Sequence, residues 1–416
     1  MLEVQIEKAN LLFEQQRYSE AKTLLVEIIN QDPNNIVALL LIAQCHIQEE
    51  HYNEAEEFID NAIAIAPYES VLFRVKSQVY IGLEKYDKAI ELLNEAISLD
   101  VEDADNYAML ASIKLTRKKF QEALELSEQA LSLEPDNLLA LNNRSYALLK
   151  LGKKEDSYNT IQQALNEDPH NSYTHANHGW GLLEKGEHVK ALEHFKEALK
   201  IDPNSEIAQS GMAEAVKAKY FLYRMFLKYS FWMGNLSGKL QFGFIFGIWL
   251  AIRFLRKLSV SFPEVEKFIL PITILLVAFT FSTWIVTPIS NLFLRLNKYG
   301  KHLLDSEEIK SSNLVGVCLI LFLTGLVLTL ITNHSPWSVV GFYGFSMMIP
   351  CSSMFSKRNN YFLIYGIGLA IIGAVVIYKS FATGFIPYDF FTITYLIGFV
   401  AYSWLASMFG LKEANK

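Results

Sequence analysis

The stretch KFQEALELSEQALSLEPDN, residues 119–137, decides how the chain is read. A near copy lies upstream, KYDKAIELLNEAISLDVED at 85–103, and another lies downstream, EHVKALEHFKEALKIDPNS at 187–205. Inside each copy the apolar residues recur at helical spacing. Leu92, Leu93, Ala96 and Leu99 stand at i, i+1, i+4 and i+7, one face of an α-helix. A helical face repeated at one fixed period, the step from Lys85 to Lys119, implies stacked copies of one small unit.

Working outward, five residue positions keep this period. Pro33, Pro67, Pro135, Pro169 and Pro203 share one grid, broken by Val101. Small residues, apart from Ile28, hold three more: Ala21, Ala55, Ala89, Ala123, Ser157 and Ala191; Ala9, Ala43, Ser77, Ala111, Ser145 and Gly179; and Ile28, Ala62, Ala96, Ala130, Ala164 and Ala198. The fifth is mostly aromatic, with Tyr18, Tyr52, Tyr86 and Phe120, then Lys154 and His188. Small residues on facing sides let helix axes approach, and the aromatic is sized to fill the hinge between two helices. Proline ends a helix, because it lacks an N–H and clashes with the preceding turn. Asn35, Asp103, Asn137, Asn171 and Ser205 follow the proline grid and suit the N-cap of the next helix.

This small–aromatic–small–small–proline unit resembles the tetratricopeptide repeat over residues 2–205. The resemblance implies six helix-pair repeats, and Ala213 carries the grid into a partial seventh helix at 206–218. It implies a superhelix whose concave face holds peptides or partner domains. In the family register that face draws on Asn10, Gln44, Arg74, Gln78, Asn142, Asn143, Tyr146, Tyr173, Asn177 and Trp180. Amides would bond a peptide backbone, Arg74 would grip a carboxylate, and Tyr146 and Trp180 would be apolar anchors. The Lys/Asn/Arg carboxylate clamp of one family subtype is not reproduced, since its positions hold Ile6, Asn10, Leu40 and Gln44. The expected repeat domain is 1–218. Unit five, with Lys154 and Ser157 off consensus, is expected to be the loosest.

Charge divides the chain. Residues 1–216 carry 19 Lys+Arg against 37 Asp+Glu, a net of −18, and residues 217–416 carry 18 against 7, a net of +11. The acidic half lacks the basic stripe that nucleic acid requires. The basic half is hydrophobic. Five segments approach the roughly 20 apolar residues of a bilayer span: 268–294, 312–332, 337–355, 361–379 and 389–409. A sixth, 239–256, is shorter and ends in Arg253, Arg256 and Lys257. The fold class is therefore all-α, a repeat superhelix followed by a polytopic transmembrane bundle at 239–410 and a polar tail at 411–416. Between them 219–238 interleaves Lys219, Arg224 and Lys228 with Tyr220, Phe221, Tyr223, Phe226, Tyr229, Phe231 and Trp232. That mixture suits a helix at headgroup level, or a final helix covering the end of the array.

Basic residues set the expected topology. Arg295, Lys298, Lys301 and Lys310, then Lys357 and Arg358, then Lys412 and Lys416 mark three cytoplasmic segments. Both termini are then inside, and the 257–267 loop, flanked by Arg253, Arg256, Lys257 and Lys267, is the exception. The N-terminus lacks the features of a cleaved signal. The features together suggest a bacterial inner membrane protein with its repeats in the cytoplasm.

Chemistry is sparse. Cys45, Cys318 and Cys351 form neither a disulfide framework nor a CxxC pair. No GxxxxGK[ST] or HExxH motif occurs. Neither cofactor nor metal is expected. His175 and His178 have a ligand-like i, i+3 spacing, but His175 and His188 fall on positions where the repeat packs aromatics. Gly344-Phe345-Ser346 resembles the Gly-x-Ser of rhomboid-type intramembrane proteases, yet the sixth span has no histidine to act as base, and His302 and His334 fall in loops. No Asp, Glu, Lys, Arg or His sits mid-span in the five clear segments, which argues against ion-coupled transport. The expectation is a non-enzymatic, membrane-anchored scaffold that recruits a protein or peptide through the repeats. The alternative is a regulatory component of a transport or envelope-assembly system whose spans act directly. Partner identity and oligomeric state are not legible.

Overall fold

The computed structural model describes residues 2–236, 238–294, 304–355 and 360–414. Among these, helices account for all regular structure. Seven first helices begin one repeat period apart: α1 (Leu2–Glu14), α3 (Ile36–Gln48), α5 (Ser70–Gly82), α7 (Ala104–Thr116), α9 (Leu138–Lys150), α11 (Ser172–Lys185) and α13 (Glu206–Lys217). Their partners keep the same period: α2 (Tyr18–Gln31), α4 (Tyr52–Ile65), α6 (Tyr86–Leu99), α8 (Phe120–Leu133), α10 (Lys154–Glu167) and α12 (His188–Ile201). Consecutive pairs form a tetratricopeptide-repeat superhelix.

The local signals act as their chemistry dictates. Asn35, Asp103, Asn137 and Ser205 cap α3, α7, α9 and α13, their side chains accepting from the backbone N–H of Ala38, Asp105, Ala140 and Ala208. Asn171 accepts from the Thr174 N–H in the same way. Val101 is tolerated because α6 has already ended at Leu99. The small-residue positions Ala9, Ala21, Ala43, Ala55, Ala89, Ala96, Ala123 and Ala130 are fully buried. Tyr52 fills a hinge: a Cβ added to Gly82 would lie 2.2 Å from its ring. In repeat five the off-consensus Ser157 is buried against Ser145, whose hydroxyl donates to the Ser157 carbonyl at 2.9 Å. Hydroxyl pairing there replaces an Ala–Ala contact.

The turn inside each pair is one device. Gln16, Glu50, Glu84, Lys118, Gly152 and Gly186 all have positive φ, again one repeat period apart. The next residue then bonds back into the helix, as His51 N to His46 O at 2.9 Å and Lys85 N to Tyr80 O at 2.8 Å. These bonds satisfy carbonyls that a helix end leaves open.

The chain divides into two compact units, Met1–Asn177 and His178–Lys416. Beyond α13 the second unit contains α14 (Phe221–Asn235), α15 (Gly238–Ser261), α16 (Glu266–Leu294), α17 (Ser306–Thr332), α18 (Ser335–Ser353), α19 (Asn360–Thr383) and α20 (Phe390–Ala414). α14 packs on the repeat end: the Tyr223 hydroxyl donates to Glu214 Oε2 at 2.5 Å, and Asn235 Nδ2 to Glu184 at 3.0 Å. Its other side leaves Phe221, Met225 and Trp232 exposed.

Each expected span is helical. Two helices, Ser306–Thr332 and Tyr361–Thr383, are long and apolar enough to cross a membrane, and the bent pair Glu266–Ser282 with Ile285–Leu294 is a third if counted as one span. α15 carries Lys239, Arg253, Arg256 and Lys257, and α18 carries several serines and two prolines, which lower their apolarity. The expected topology markers Arg295, Lys298, Lys301, Lys357, Arg358 and Lys416, with His302, lie outside the described residues. α17 and α18 touch backbone to backbone, for a Cβ on Gly325 would lie 2.3 Å from the Gly341 nitrogen. Around them Val315, Cys318, Met347, Met348, Leu369, Tyr395 and Tyr402 form one core. The opposite faces are bare, with Ile320, Leu330, Ile331, Ile364, Ile371, Ile397, Val400 and Trp404 exposed.

Candidate partner-binding face

The ten sequence-derived positions fall into three physical classes. Asn142 and Asn143 are buried on α9. The Asn142 amide donates to Thr174 Oγ1 at 2.9 Å and to the Leu138 carbonyl at 2.8 Å, while its oxygen accepts from Asn177 at 3.1 Å. Asn143 donates to the Ala108 carbonyl and to Ser112 Oγ, both at 2.8 Å. These amides join successive first helices, so their N–H groups already have partners. Burial forces this pairing, because an unpaired buried amide is costly.

Arg74 is the second kind. It donates to Asp105 at 2.6 Å and lies 3.4 Å from Asp103. Asp105 in turn accepts from Asn137 Nδ2 at 2.9 Å. The chain Arg74–Asp105–Asn137 crosses three repeats. A partner's carboxylate would compete with two resident ones.

The third kind is accessible. Tyr146 is 37% exposed, with the Lys150 ammonium 4.9 Å from its ring centroid, and Tyr173 is 43% exposed. Asn10 is exposed beside Glu14, and Gln44 and Gln78 are half-buried. In the second unit Trp180 is half-buried; its indole N–H donates to the Ile207 carbonyl at 3.2 Å, and its ring meets Phe195 and Phe231 edge-on. Tyr146, Tyr173, Gln44 and Gln78 thus offer contact area and hydrogen bonds.

Several other polar groups of the repeats are engaged within the protein. Hydrogen bonds from Lys114 and Lys119 hold the Glu122 carboxyl below the ordinary carboxylate range. Donation to Glu56 at 2.5 Å, with burial, pushes the Tyr80 phenol up to about 12. The His175 ring nitrogen lies 3.1 Å from the Pro169 carbonyl, and His178 is buried with its ring 4.1 Å from that of His194. Both behave as packing residues. Ser346 pairs with Tyr395 hydroxyl at 2.6 Å and with its own helix's Phe342 carbonyl at 2.8 Å.

A second site, with no signal in the periodicity, lies within the second unit. A cavity of about 360 Å³ opens between α16, α17 and α18, lined by Thr287, Asn291, Asp305, Glu308, Ser311 and Ser353. Asn291 is buried, and its Oδ1 has no hydrogen-bond partner.

Family models described as tetratricopeptide repeat match residues 12–79, 75–102 and 114–176. No curated protein matches the chain. Among solved structures, a tetratricopeptide repeat protein from Parabacteroides merdae is 15% identical, with 52% of this chain and 84% of that one covered and a TM-score of 0.45. The pilF protein of Pseudomonas aeruginosa is 18% identical over 51% and 97%, with a TM-score of 0.40. MamA is 19% identical over 39% and 94%, with a TM-score of 0.32.

Proposed function

Because the N-terminal part of the chain carries tetratricopeptide repeats, we propose that it is a membrane-anchored scaffold that recruits a protein or peptide through its repeat array. The observation that carries this reading is one chain holding both a partner-binding repeat fold and long apolar helices with bare outer faces. Such faces are compatible with lipid, which solvates them as water cannot. Tyr146 and Tyr173 are the proposed anchors, with Gln44 and Gln78 as hydrogen-bonding neighbours. Asn142, Asn143 and Asn177 act by joining the helices that present them. The proposed setting is a bacterial inner membrane, with repeats and C-terminus in the cytoplasm.

Photo-crosslinking of the full chain in its own membrane tests this. A photoreactive residue at Tyr146 or Tyr173 should capture a discrete partner, and one at the exposed Val189 of α12 should not. Equal capture at all three positions, or none, counts against the scaffold. Topology is read separately: a cysteine at the exposed Phe385 should be labelled from outside the cell, and a C-terminal tag should be reached only from inside.

The cavity at Asn291 favours a second reading, in which the helical bundle acts directly in transport or envelope assembly. Replacing residues 238–416 by a single-span anchor separates the two. Retained partner capture and cellular function support the scaffold; retained capture with lost function supports the second reading.

A further inference from the structure

The fold brings two imidazoles and a carboxylate together at the end of one repeat helix. His46, Glu49 and His51 each offer a ligand atom within 4.8 Å of the other two. We propose that they bind a divalent transition metal of the zinc class, which pins the turn of the second repeat.

The backbone builds the cluster. α3 stops at Gln48, and Glu50 takes a left-handed φ of 61°. The His51 N–H then donates to the His46 carbonyl at 2.9 Å, folding His51 back over His46, while the Glu49 N–H donates to the Cys45 carbonyl at 3.2 Å. His46 is held in place by stacking on Phe58, with ring centroids 5.6 Å apart and planes 15° apart. Its Nδ1 is buried and has no hydrogen-bond partner. A metal bond at that nitrogen would give it one.

Two features favour a cation here. The cluster sits at the carbonyl end of α3, where the helix dipole is negative. Glu49 adds a full negative charge, for which the metal would have to displace the Lys22 ammonium that rests on it. Two nitrogens and one carboxylate oxygen suit zinc and its neighbours better than calcium or magnesium, which prefer all-oxygen shells. With metal–ligand distances of about 2.1 Å, donors within 4.8 Å of one another must close to roughly 3.5 Å. His51, 55% exposed at the mouth, is free to turn inward by that amount. Lys22, on a flexible stem at the solvent edge, would swing away.

The cluster is particular to this repeat. The same turn recurs in the others, but the place of His51 holds Arg17, Lys85, Lys119 and Lys153 in four of them. A cation there would repel a metal. Only the second repeat exchanges it for an imidazole and adds His46 and Glu49.

Titration calorimetry of the detergent-solubilised full chain with Zn²⁺ tests the proposal, with exposed histidines elsewhere as the competing binders. One site should weaken at least about tenfold in H51Q and in E49Q, and vanish in the H46Q/H51Q double variant. Lys22→Met should tighten it. Zinc should raise the Tm of the natural chain and not that of H51Q. Since His51 is exposed, H51Q keeps the fold even if H46Q does not. Zinc binding of unchanged affinity in the double variant, or an equal zinc-induced Tm rise in H51Q, would overturn the assignment.

Discussion

Phe195 is fully buried, and two glycines make room for it: a Cβ on Gly211 would lie 2.2 Å from its ring, and one on Gly179 2.7 Å. Gly179 stands on the small-residue grid, whereas Gly211 is visible only in three dimensions. Gly211→Ala should therefore cost about 1–3 kcal/mol by overpacking and lower the Tm. Adding Phe195→Leu should recover part of the loss; a neutral Gly211→Ala would mean the ring has space to move. Glu122 illustrates charge at this scale. Its carboxyl is held below its unfolded value by Lys114 and Lys119. The stabilisation is therefore complete above the unfolded carboxylate pKa of about 4.3, and it is lost as pH falls through the folded value. Thermal melts taken from about pH 5 to about pH 3, the carboxylate range, should decline less steeply for Glu122→Gln than for the natural chain. The effect should be small, since the side chain is largely solvated.

At the scale of the element, the intra-repeat turn has a backbone cause that can be isolated. Gly152 has a φ of 80°, and nothing lies within 4 Å of where its Cβ would be. Gly152→Ala should cost about 1 kcal/mol from the left-handed backbone alone, read as a fall in Tm. A larger loss would point to a contact that the geometry does not contain. The helix contact between α17 and α18 is set by glycine in a different way. A Cβ on Gly344 would lie 2.5 Å from the Phe322 nitrogen, and this close approach leaves Cys318 and Cys351 with sulfurs 3.7 Å apart. In a Cys45→Ser chain, a membrane-permeant thiol oxidant such as diamide should join Cys318 to Cys351, seen as protection from alkylation. Gly344→Val should abolish the crosslink by forcing the helices apart; its persistence would show that the helices do not meet through Gly344.

On the scale of the whole molecule, the repeats and the apolar helices bury their surfaces differently. In the first unit buried polar groups such as Asn142, Asn143 and Ser145 are paired across helices, and charge stays outside. In the second unit, α17 and α19 bury only 17% and 22% of their most apolar stretches within the protein. Left in water, those faces would be a severe liability; in a bilayer they cost nothing. The membrane setting proposed above would remove that liability. Past the sixth helix pair, Glu184 bonds Asn235 of α14, and Ala213 of α13 packs with Leu294 of α16.

The amino-acid sequence by itself determined the helices, their common period, their asparagine, aspartate and serine caps and the apolar segments. Each of these rests on neighbours within one or two turns, so spacing alone reports it. The tertiary structure decided what depends on distant partners. Asn142 and Asn143 look like ligand-facing amides in the register and prove to be bonded to residues of the neighbouring repeats, Thr174 and Asn177 on one side and Ala108 and Ser112 on the other. Four of six left-handed turn positions carry Gln, Glu or Lys, so no glycine announces them. The imidazoles of His46 and His51 meet because a reversed turn folds one over the other, and Ser346 meets Tyr395 from a different helix. A periodic pattern shows which side of a helix is buried; only packing selects the atoms that meet there.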